Sequence, residues 1–408
     1  MILPLLLACG PDGSADDVCA LERVEDDIDA GVWSIGAALP GSAGQVKVRA
    51  RWPDQPAGGR WPVALVLQGA WDPIGTALER TSPRPDVAPG IVSLHLDLPG
   101  NGGTEGENDR RGPASRAAVA AVLQWAAGEL RDLGGCTLAD RVPGADPTAL
   151  YVIGASNGGN LAIAALSDST LAVPEVAGLI LWETPAGPTF VNVELGISPT
   201  VYEAGACRYT PENGIVCDFP EERLYANLVD GTSVLCFDED ADATCGEGDV
   251  LVPGVVDLSN GDRVVSPALA RAADARGVLP DGFADASTAD TWWSERDGSR
   301  LAPALVGARP TLPVLLLASE ADHVQSLSDH PHVFGLGEAL QAAGVFWLRL
   351  NPGAPWLEGV PQENLPNAPL RLASPSGALL PEDVEEPLSD LFTASIFELF
   401  DRRASADW

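Results

Sequence analysis

Leu150-Tyr151-Val152-Ile153-Gly154-Ala155-Ser156-Asn157-Gly158-Gly159, continued by Asn160 and the apolar run Leu161–Leu166, decides the fold. The first five residues read as a buried strand ending at Gly154, and the residues after Gly159 carry a helical pattern. Small residues flank a single serine between them. A chain that passes from strand to helix within so few residues bends sharply, and it needs residues with little or no side chain at the bend. Such a turn lifts the serine hydroxyl clear of the backbone at the carboxyl edge of a sheet. The N-terminus of the following helix and its first N–H groups then lie beside it. The bland reading of the same residues is a tight glycine turn carrying an idle serine.

Working outward, Val46–Trp52, Pro62–Gln68, Ile91–Leu98, Val176–Trp182, Leu312–Ser319 and Val345–Leu350 read as further strands. Ser115 is placed to cap a helix with Val119, Val122, Leu123, Ala126 and Leu130 on one face, ended by Gly134-Gly135. A last amphipathic helix runs from Leu388 to Arg402. Strands alternating with helices predict an α/β architecture, a mainly parallel sheet with helices on both faces. Between Pro185 and Pro310 the alternation breaks, and the stretch is rich in Asp and Gly with four cysteines. The organisation that follows is a tether over 1–20, a first core part over 21–185, a lid-like insertion over 186–309 and a second core part over 310–408.

Acidic side chains number 58 against 24 basic ones, a net charge of −34 at pH 7. That balance excludes nucleic acid as a partner, because there is no basic surplus to displace counterions from phosphates. A hydrophobic share of 46% fits a globular chain rather than a disordered acidic one. Lys47 is the one lysine, so positive charge is almost all arginine. Of the seven cysteines, Cys9 stands apart near the N-terminus. The other six allow fifteen pairings. Local spacing favours Cys207–Cys217 and Cys236–Cys245, leaving Cys19–Cys136 by elimination. Disulfides persist in oxidising compartments, which agrees with export.

Gly154-Ala155-Ser156-Asn157-Gly158-Gly159 in its strand–turn–helix setting resembles the nucleophile elbow of the α/β-hydrolase superfamily, most closely its prolyl-oligopeptidase and related esterase branches. The resemblance spans 45–185 and 310–400, and the insertion takes the usual place of a lid. It implies an α/β-hydrolase fold and a serine hydrolase that cleaves an ester or peptide bond through an acyl-enzyme, with Ser156 as nucleophile. No cofactor is required for that catalysis, and the partner is a small-molecule ester or peptide substrate. Gln68-Gly69-Ala70 falls where the family has His-Gly-x, which implies the Ala70 and Asn157 N–H groups as oxyanion hole. Asp97-Leu98-Pro99-Gly100-Asn101-Gly102 matches the family's structural Asp-x-Pro-Gly-x-Gly turn. Ala318-Ser319-Glu320-Ala321-Asp322-His323 resembles the loop that carries the acid, placing Asp322 in that role with Glu183 as the alternative. Glu183 also reads as an ordinary salt-bridged strand end. Leu6-Leu7-Ala8-Cys9 resembles the lipobox of bacterial lipoproteins, implying export to the cell envelope, lipid on Cys9, and membrane contact through that anchor alone.

The chain departs from the family at its base: no histidine lies between Asn351 and Trp408. His95 reads as a core residue within a strand, and His323 merely follows the acid. In Asp329-His330-Pro331-His332, one imidazole, most plausibly His332, can serve Ser156 from a neighbouring loop, since triads are defined by geometry and not by chain order. The plainer reading has Asp329 capping a helix and both histidines on the surface. A chain without a base would instead be a catalytically inactive hydrolase fold acting as a binding or surface-scaffold protein.

Asp238, Asp240, Asp242, Thr244 and Asp249 stand at positions 1, 3, 5, 7 and 12 of a calcium-loop spacing, with Ala243 where glycine is usual. Asp257, Ser259, Asn260, Gly261 and Asp262 form a weaker copy. The other reading is an acidic hairpin closed by Cys236–Cys245. Trp292-Trp293, with Trp71, reads as packing that docks the insertion on the core.

Overall fold

The structure, a computed structural model, describes residues 19, 24–27, 32–53, 60–69, 90–142, 144–187, 205–229, 232–246, 248–252, 254–257, 259–317, 331–350, 386–406 and 408. Along the chain, β1 (Val24–Asp27), β2 (Val32–Gly41), β3 (Gly44–Pro53), β4 (Trp61–Leu67) and β5 (Val92–Leu96) lead into helix α1 (Pro113–Ala127). The short α2 (Leu138–Arg141), β6 (Ala145–Ala155), α3 (Asn157–Ser167) and β7 (Gly178–Trp182) follow. The next stretch holds β8 (Cys207–Thr210), β9 (Gly214–Cys217), β10 (Leu224–Val229), β11 (Thr232–Phe237), β12 (Val250–Val252), β13 (Val255–Val256) and β14 (Arg263–Val264). Helices α4 (Pro267–Ala275), α5 (Ala286–Ser294) and α6 (Gly298–Ala308) come next, then β15 (Pro313–Leu317), α7 (Pro331–Ala343), β16 (Trp347–Leu350) and α8 (Glu386–Ser405).

Nine strands make one sheet in the order β1-β2-β3-β5-β4-β6-β7-β15-β16. Strand β3 runs antiparallel to β2 and β5, and every pair from β5 through β16 is parallel. With β1 as an added edge strand, this is the strand order of the α/β-hydrolase fold. The central strands are apolar on both faces because both faces are covered. Val63, Leu65 and Leu67 of β4 share a core with α1, α3, α6 and α7, while Ala64 and Val66 join Ile396 and Leu399 of α8 on the opposite side. In β15, Val314 and Leu316 face the first layer and Leu315 and Leu317 the second. His95 sits in β5 and is buried, as a core residue.

Helix α1 differs from the sequence reading at both ends. Ser115 lies inside the helix rather than at its cap, because Asp109 does the capping: its Oδ2 accepts the Ala114 N–H (2.6 Å) and its Oδ1 the Ser115 hydroxyl (2.6 Å). The helix stops at Gly128, whose φ of 81° ends it well before Gly134-Gly135.

The insertion is bound into the main core. Ile215 of β9 and Leu235 and Phe237 of β11 belong to the same buried cluster as the sheet. Helix α6 lies in the same layer as α3 and packs directly against it. Trp292 and Trp293, expected to dock the insertion, instead build a small core inside it with Val255, Val264, Ala284 and Ala289. Trp293 Nε1 donates to the Val265 carbonyl at 3.1 Å.

Among the described residues, Cys19–Cys136, Cys207–Cys217 and Cys236–Cys245 form disulfides, the two local pairs that spacing favours and the one left by elimination. Their sequence separations are 117, 10 and 9 residues. On chain entropy, the long closure is worth roughly 4–5 kcal/mol and each short one about 3 kcal/mol or less. Urea unfolding should therefore show that the paired Cys19→Ser, Cys136→Ser variant loses more stability than either short-loop variant; the reverse ranking would make native-state strain the deciding factor.

Candidate active site

Ser156 occupies the junction of β6 and α3 with φ 50° and ψ −130°, left-handed backbone that side-chain-bearing residues avoid. Such a conformation costs on the order of 1–3 kcal/mol and persists only where its surroundings enforce it. Two bonds do so here. The Ser156 N–H donates to the Trp182 carbonyl at 2.8 Å, tying the turn to β7, and the Gly159 N–H donates to the Ser156 carbonyl at 2.9 Å. The glycines on either side are needed for close approach. A Cβ at Gly154 would collide with the Gly159 Cα, and one at Gly158 would collide with the Leu67 carbonyl at the end of β4. Ser156 is half-buried while Asn157 through Leu166 behind it are buried. The Asn157 N–H belongs to the first turn of α3, where helix geometry supplies no intrahelical acceptor.

Gly69 closes the site from β4: a Cβ there would stand 2.7 Å from the Ser156 Cβ and 3.1 Å from its Oγ. Ala70 lies outside the described residues, as do Asp322, His323, His330, Trp71 and Cys9. His332 is described, in the first turn of α7, and it is fully buried. The surface reading of that histidine is thereby overturned; α7 as a whole packs against α6 and the β8–β9 hairpin.

Glu183 follows β7 one strand over from the elbow. It is 2% exposed and its φ is 41°, with its N–H donating to the Leu317 carbonyl at 2.8 Å. Burial and left-handed backbone at the carboxyl edge set it apart from an ordinary strand-end carboxylate.

Residues that the sequence reading passed over tie this edge to the insertion. Asn160 Nδ2 donates to Asn157 Oδ1 (3.1 Å) and to the Pro185 carbonyl (3.2 Å), while its Oδ1 accepts the Gly298 N–H (2.9 Å). Asp297 Oδ1 accepts the N–H of Gly187 (2.9 Å) and the N–H and hydroxyl of Ser299. Burial pushes the Asp297 carboxyl above the usual carboxylate range. Arg111, also buried, donates from Nη2 to the carbonyls of Gln68 (2.8 Å) and Gly69 (2.7 Å). An Asn or Arg in a polar run carries no sequence signal that it points inward. Between Gly100–Pro113 and the insertion lies a cavity of about 860 Å³, with Glu107, Asp257, Trp292 and Arg296 among its lining residues.

In the acidic loop, Asp238, Asp240 and Asp242 bring carboxylate oxygens within 4.8 Å of one another. Asp249 turns instead to the N–H groups of Glu239 (2.8 Å) and Gly246 (2.6 Å). Thr244 uses its own N–H and hydroxyl on Asp242 Oδ1. Three of the expected side-chain ligands therefore lie together, and the Asp249 carboxylate is committed to backbone N–H groups. The weaker copy is an exposed turn, with Asn260 Nδ2 donating to Asp262 Oδ2 and the Ser259 N–H donating to Asp257 Oδ1.

No protein-family model matches the chain. No curated protein matches it in sequence. Among solved structures it is similar to a bacterial heroin esterase, at 18% identity and TM-score 0.40 over 80% of this chain and 75% of that one. It is similar also to carboxyl esterase 2 of the mycorrhizal fungus Tuber melanosporum, at 13% identity and TM-score 0.40, covering 82% and 85%. A fungal esterase from Rhizomucor miehei gives 14% identity and TM-score 0.44, covering 92% and 85%. The fold assignment rests on the strand order and the elbow themselves.

A carboxyl whose folded pKa is raised contributes stability at low pH that is lost as pH rises through the raised value. Asp297→Asn removes that loss, so its melting temperature should exceed that of the parent protein near pH 7, by a margin that shrinks toward pH 4. A margin independent of pH would assign the effect to packing.

Proposed function

We propose that the protein is a serine hydrolase that cleaves a small-molecule ester or a peptide bond through an acyl-enzyme. The observation that carries this is Ser156, held in costly left-handed backbone at the end of β6 with the N-terminus of α3 behind it. An idle serine in a glycine turn has no need of that conformation. In this reading Ser156 Oγ attacks the substrate carbonyl carbon and its proton passes to His332. The N–H groups of Ala70 and Asn157 receive the negative charge that develops on the carbonyl oxygen. The leaving group departs with the proton held by His332, and water then repeats the sequence on the acyl-enzyme to release the acid. Asp322 orients the imidazole. The chemistry uses side chains and backbone N–H groups, and no cofactor enters it.

The same reading places the protein outside the cytoplasm, in the bacterial cell envelope, held to the membrane by lipid on Cys9. Three disulfides accord with an oxidising compartment. The insertion carries calcium on Asp238, Asp240 and Asp242, a site suited to the millimolar calcium of extracellular media.

A fluorophosphonate probe should label the purified protein, and Ser156→Ala should abolish labelling. Absence of labelling in the parent protein would overturn the hydrolase reading in favour of a binding protein. With an activated aryl ester, His332→Ala and Asp322→Asn should each lower kcat by about 10³-fold or more, and Glu183→Gln should leave it within about tenfold. The opposite order for the two carboxylates would make Glu183 the acid. Millimolar calcium should raise the melting temperature of the parent protein, and the Asp240→Asn, Asp242→Asn variant should lose that rise; an unmoved parent protein would remove the metal.

A further inference from the structure

We propose that Arg111 is a positioning residue of the loop after β4, holding the Gly69 carbonyl and polarising the peptide group whose N–H the hydrolase reading assigns to the oxyanion. The inference rests on the hydrolase reading and goes beyond it, since nothing in that reading calls for a buried arginine.

The geometry begins at Gly69. Arg111 Nη2 donates to the Gly69 carbonyl at 2.7 Å and to the Gln68 carbonyl at 2.8 Å. Gly69 lies against the nucleophile, close enough that an added Cβ would stand 2.7 Å from the Ser156 Cβ. The Gly69 carbonyl and the Ala70 nitrogen are one peptide group, joined by a partial double bond. A cation that hydrogen-bonds the carbonyl oxygen draws electron density along that bond and makes the N–H a stronger donor. The donor assigned to the oxyanion is therefore the far end of the group that Arg111 grips. The guanidinium remains a cation at neutral pH, although burial lowers its pKa to about 10.

The arginine is itself held in place at a cost. Arg110 and Arg111 have φ of 50° and 65°, two consecutive left-handed residues with long side chains. The surroundings enforce this from both sides. The Arg110 N–H donates to Asn108 Oδ1 at 2.9 Å, and Asp109 is committed to the first turn of α1. From the insertion, Arg296 donates through Nε to the Arg110 carbonyl (3.0 Å) and through Nη2 to the Asp109 carbonyl (3.1 Å). Its guanidinium stacks on Trp292 at 4.2 Å from the ring centroid. Two arginines in series thus connect the insertion to the loop beside Ser156. A segment that merely joined β5 to α1 would have no need of two strained residues to aim a charged group inward.

The test compares the full-length protein with Arg111→Met, Arg111→Gln and Arg111→Lys. The readouts are hydrolysis of p-nitrophenyl butyrate, inhibition by phenylboronic acid and circular dichroism. Boronic acids form a tetrahedral adduct on the serine and report on the oxyanion hole. Arg111→Met should lower kcat by about 10²-fold, the scale of one oxyanion donor, with KM changed by less than about threefold. It should weaken phenylboronic acid binding by a similar factor. Arg111→Lys, which keeps the charge, should recover about tenfold of the loss. A kcat within threefold of the parent, a loss that falls on KM, or a Lys variant no better than Met overturns the proposal. Should Arg111→Met fail to fold, Arg111→Gln is judged by the same criteria. A parent protein that neither hydrolyses the ester nor carries probe on Ser156 removes the hydrolase reading and this proposal with it. A labelled parent with an unaffected Arg111 variant removes this proposal alone.

Discussion

How closely α3 is allowed to approach β4 and β6 governs the carboxyl edge of the sheet. A helix that starts within a residue of a strand's end must cross that strand and its neighbour at backbone distance. Gly154 meets Gly159 there, and Gly158 meets the last carbonyl of β4. With no Cβ between them, β6 passes into α3 in a single residue, and that residue is forced into left-handed backbone. The β4–β6 register, with Leu67 opposite Gly154, brings the loop after β4 level with Ser156. The β6–β7 register, with Ala155 opposite Trp182, does the same for Glu183. One steric constraint therefore sets the height at which three loops meet.

Buried polar groups then decide what those loops can be attached to. A polar group withdrawn from water is stable only with partners. Asn160, one turn into α3, meets that demand by bonding Asn157, the carbonyl of Pro185 where the chain leaves β7, and the N–H of Gly298 where it returns. Asp297 binds Gly187 and Ser299, and the Ser299 hydroxyl accepts the Ile215 N–H at 3.1 Å, reaching the hairpin closed by Cys207–Cys217. The insertion is accordingly fixed to the elbow at both of its ends. A charge balance of −34 says nothing of this. The few buried charges that matter here, Arg111, Arg296 and Asp297, are read only from where they point.

The sequence was legible where one residue's neighbours in the chain are also its neighbours in space. The elbow, the apolar strands and the short-range disulfides are of this kind, because a glycine pattern, a run of Val, Leu and Ile, or two cysteines ten residues apart carry their own local geometry. Helix α1 was misread for the opposite reason. Serine is a good capping residue, so Ser115 matched the pattern, yet Asp109 six residues earlier loops back to accept the N–H groups of Ala114 and Ser115. Of the two readings of His332, base or surface residue, the surface one fails because α7 is packed by elements distant in sequence, α6 and the β8–β9 hairpin, and His332 is fully buried. Trp292 and Trp293 gave the right chemistry and the wrong partner, since tryptophan announces burial without saying against what.

Backbone strain gives an independent view of where function lies. Among the described residues, seven non-glycine positions have positive φ: Arg110, Arg111, Ser156, Glu183, Ala241, Ala243 and Ala406. The three alanines are in turns, two of them in the acidic loop, where Asp238 Oδ2 accepts the Ala243 N–H and a small side chain keeps the cost low. The other four carry long or reactive side chains, and Ser156, Glu183 and Arg111 bear on the carboxyl edge of the sheet. Ser156 follows β6, Glu183 follows β7, and Arg111, next to Arg110, bonds the Gln68 and Gly69 carbonyls after β4. Strain of this kind lowers stability, and a stable fold tolerates it where the geometry it enforces is needed. A sheet required only to hold its helices could have placed glycine at each of these positions. A serine, a carboxylate and a guanidinium are held there instead, around one edge, and the proposed hydrolase reading takes its support from that arrangement.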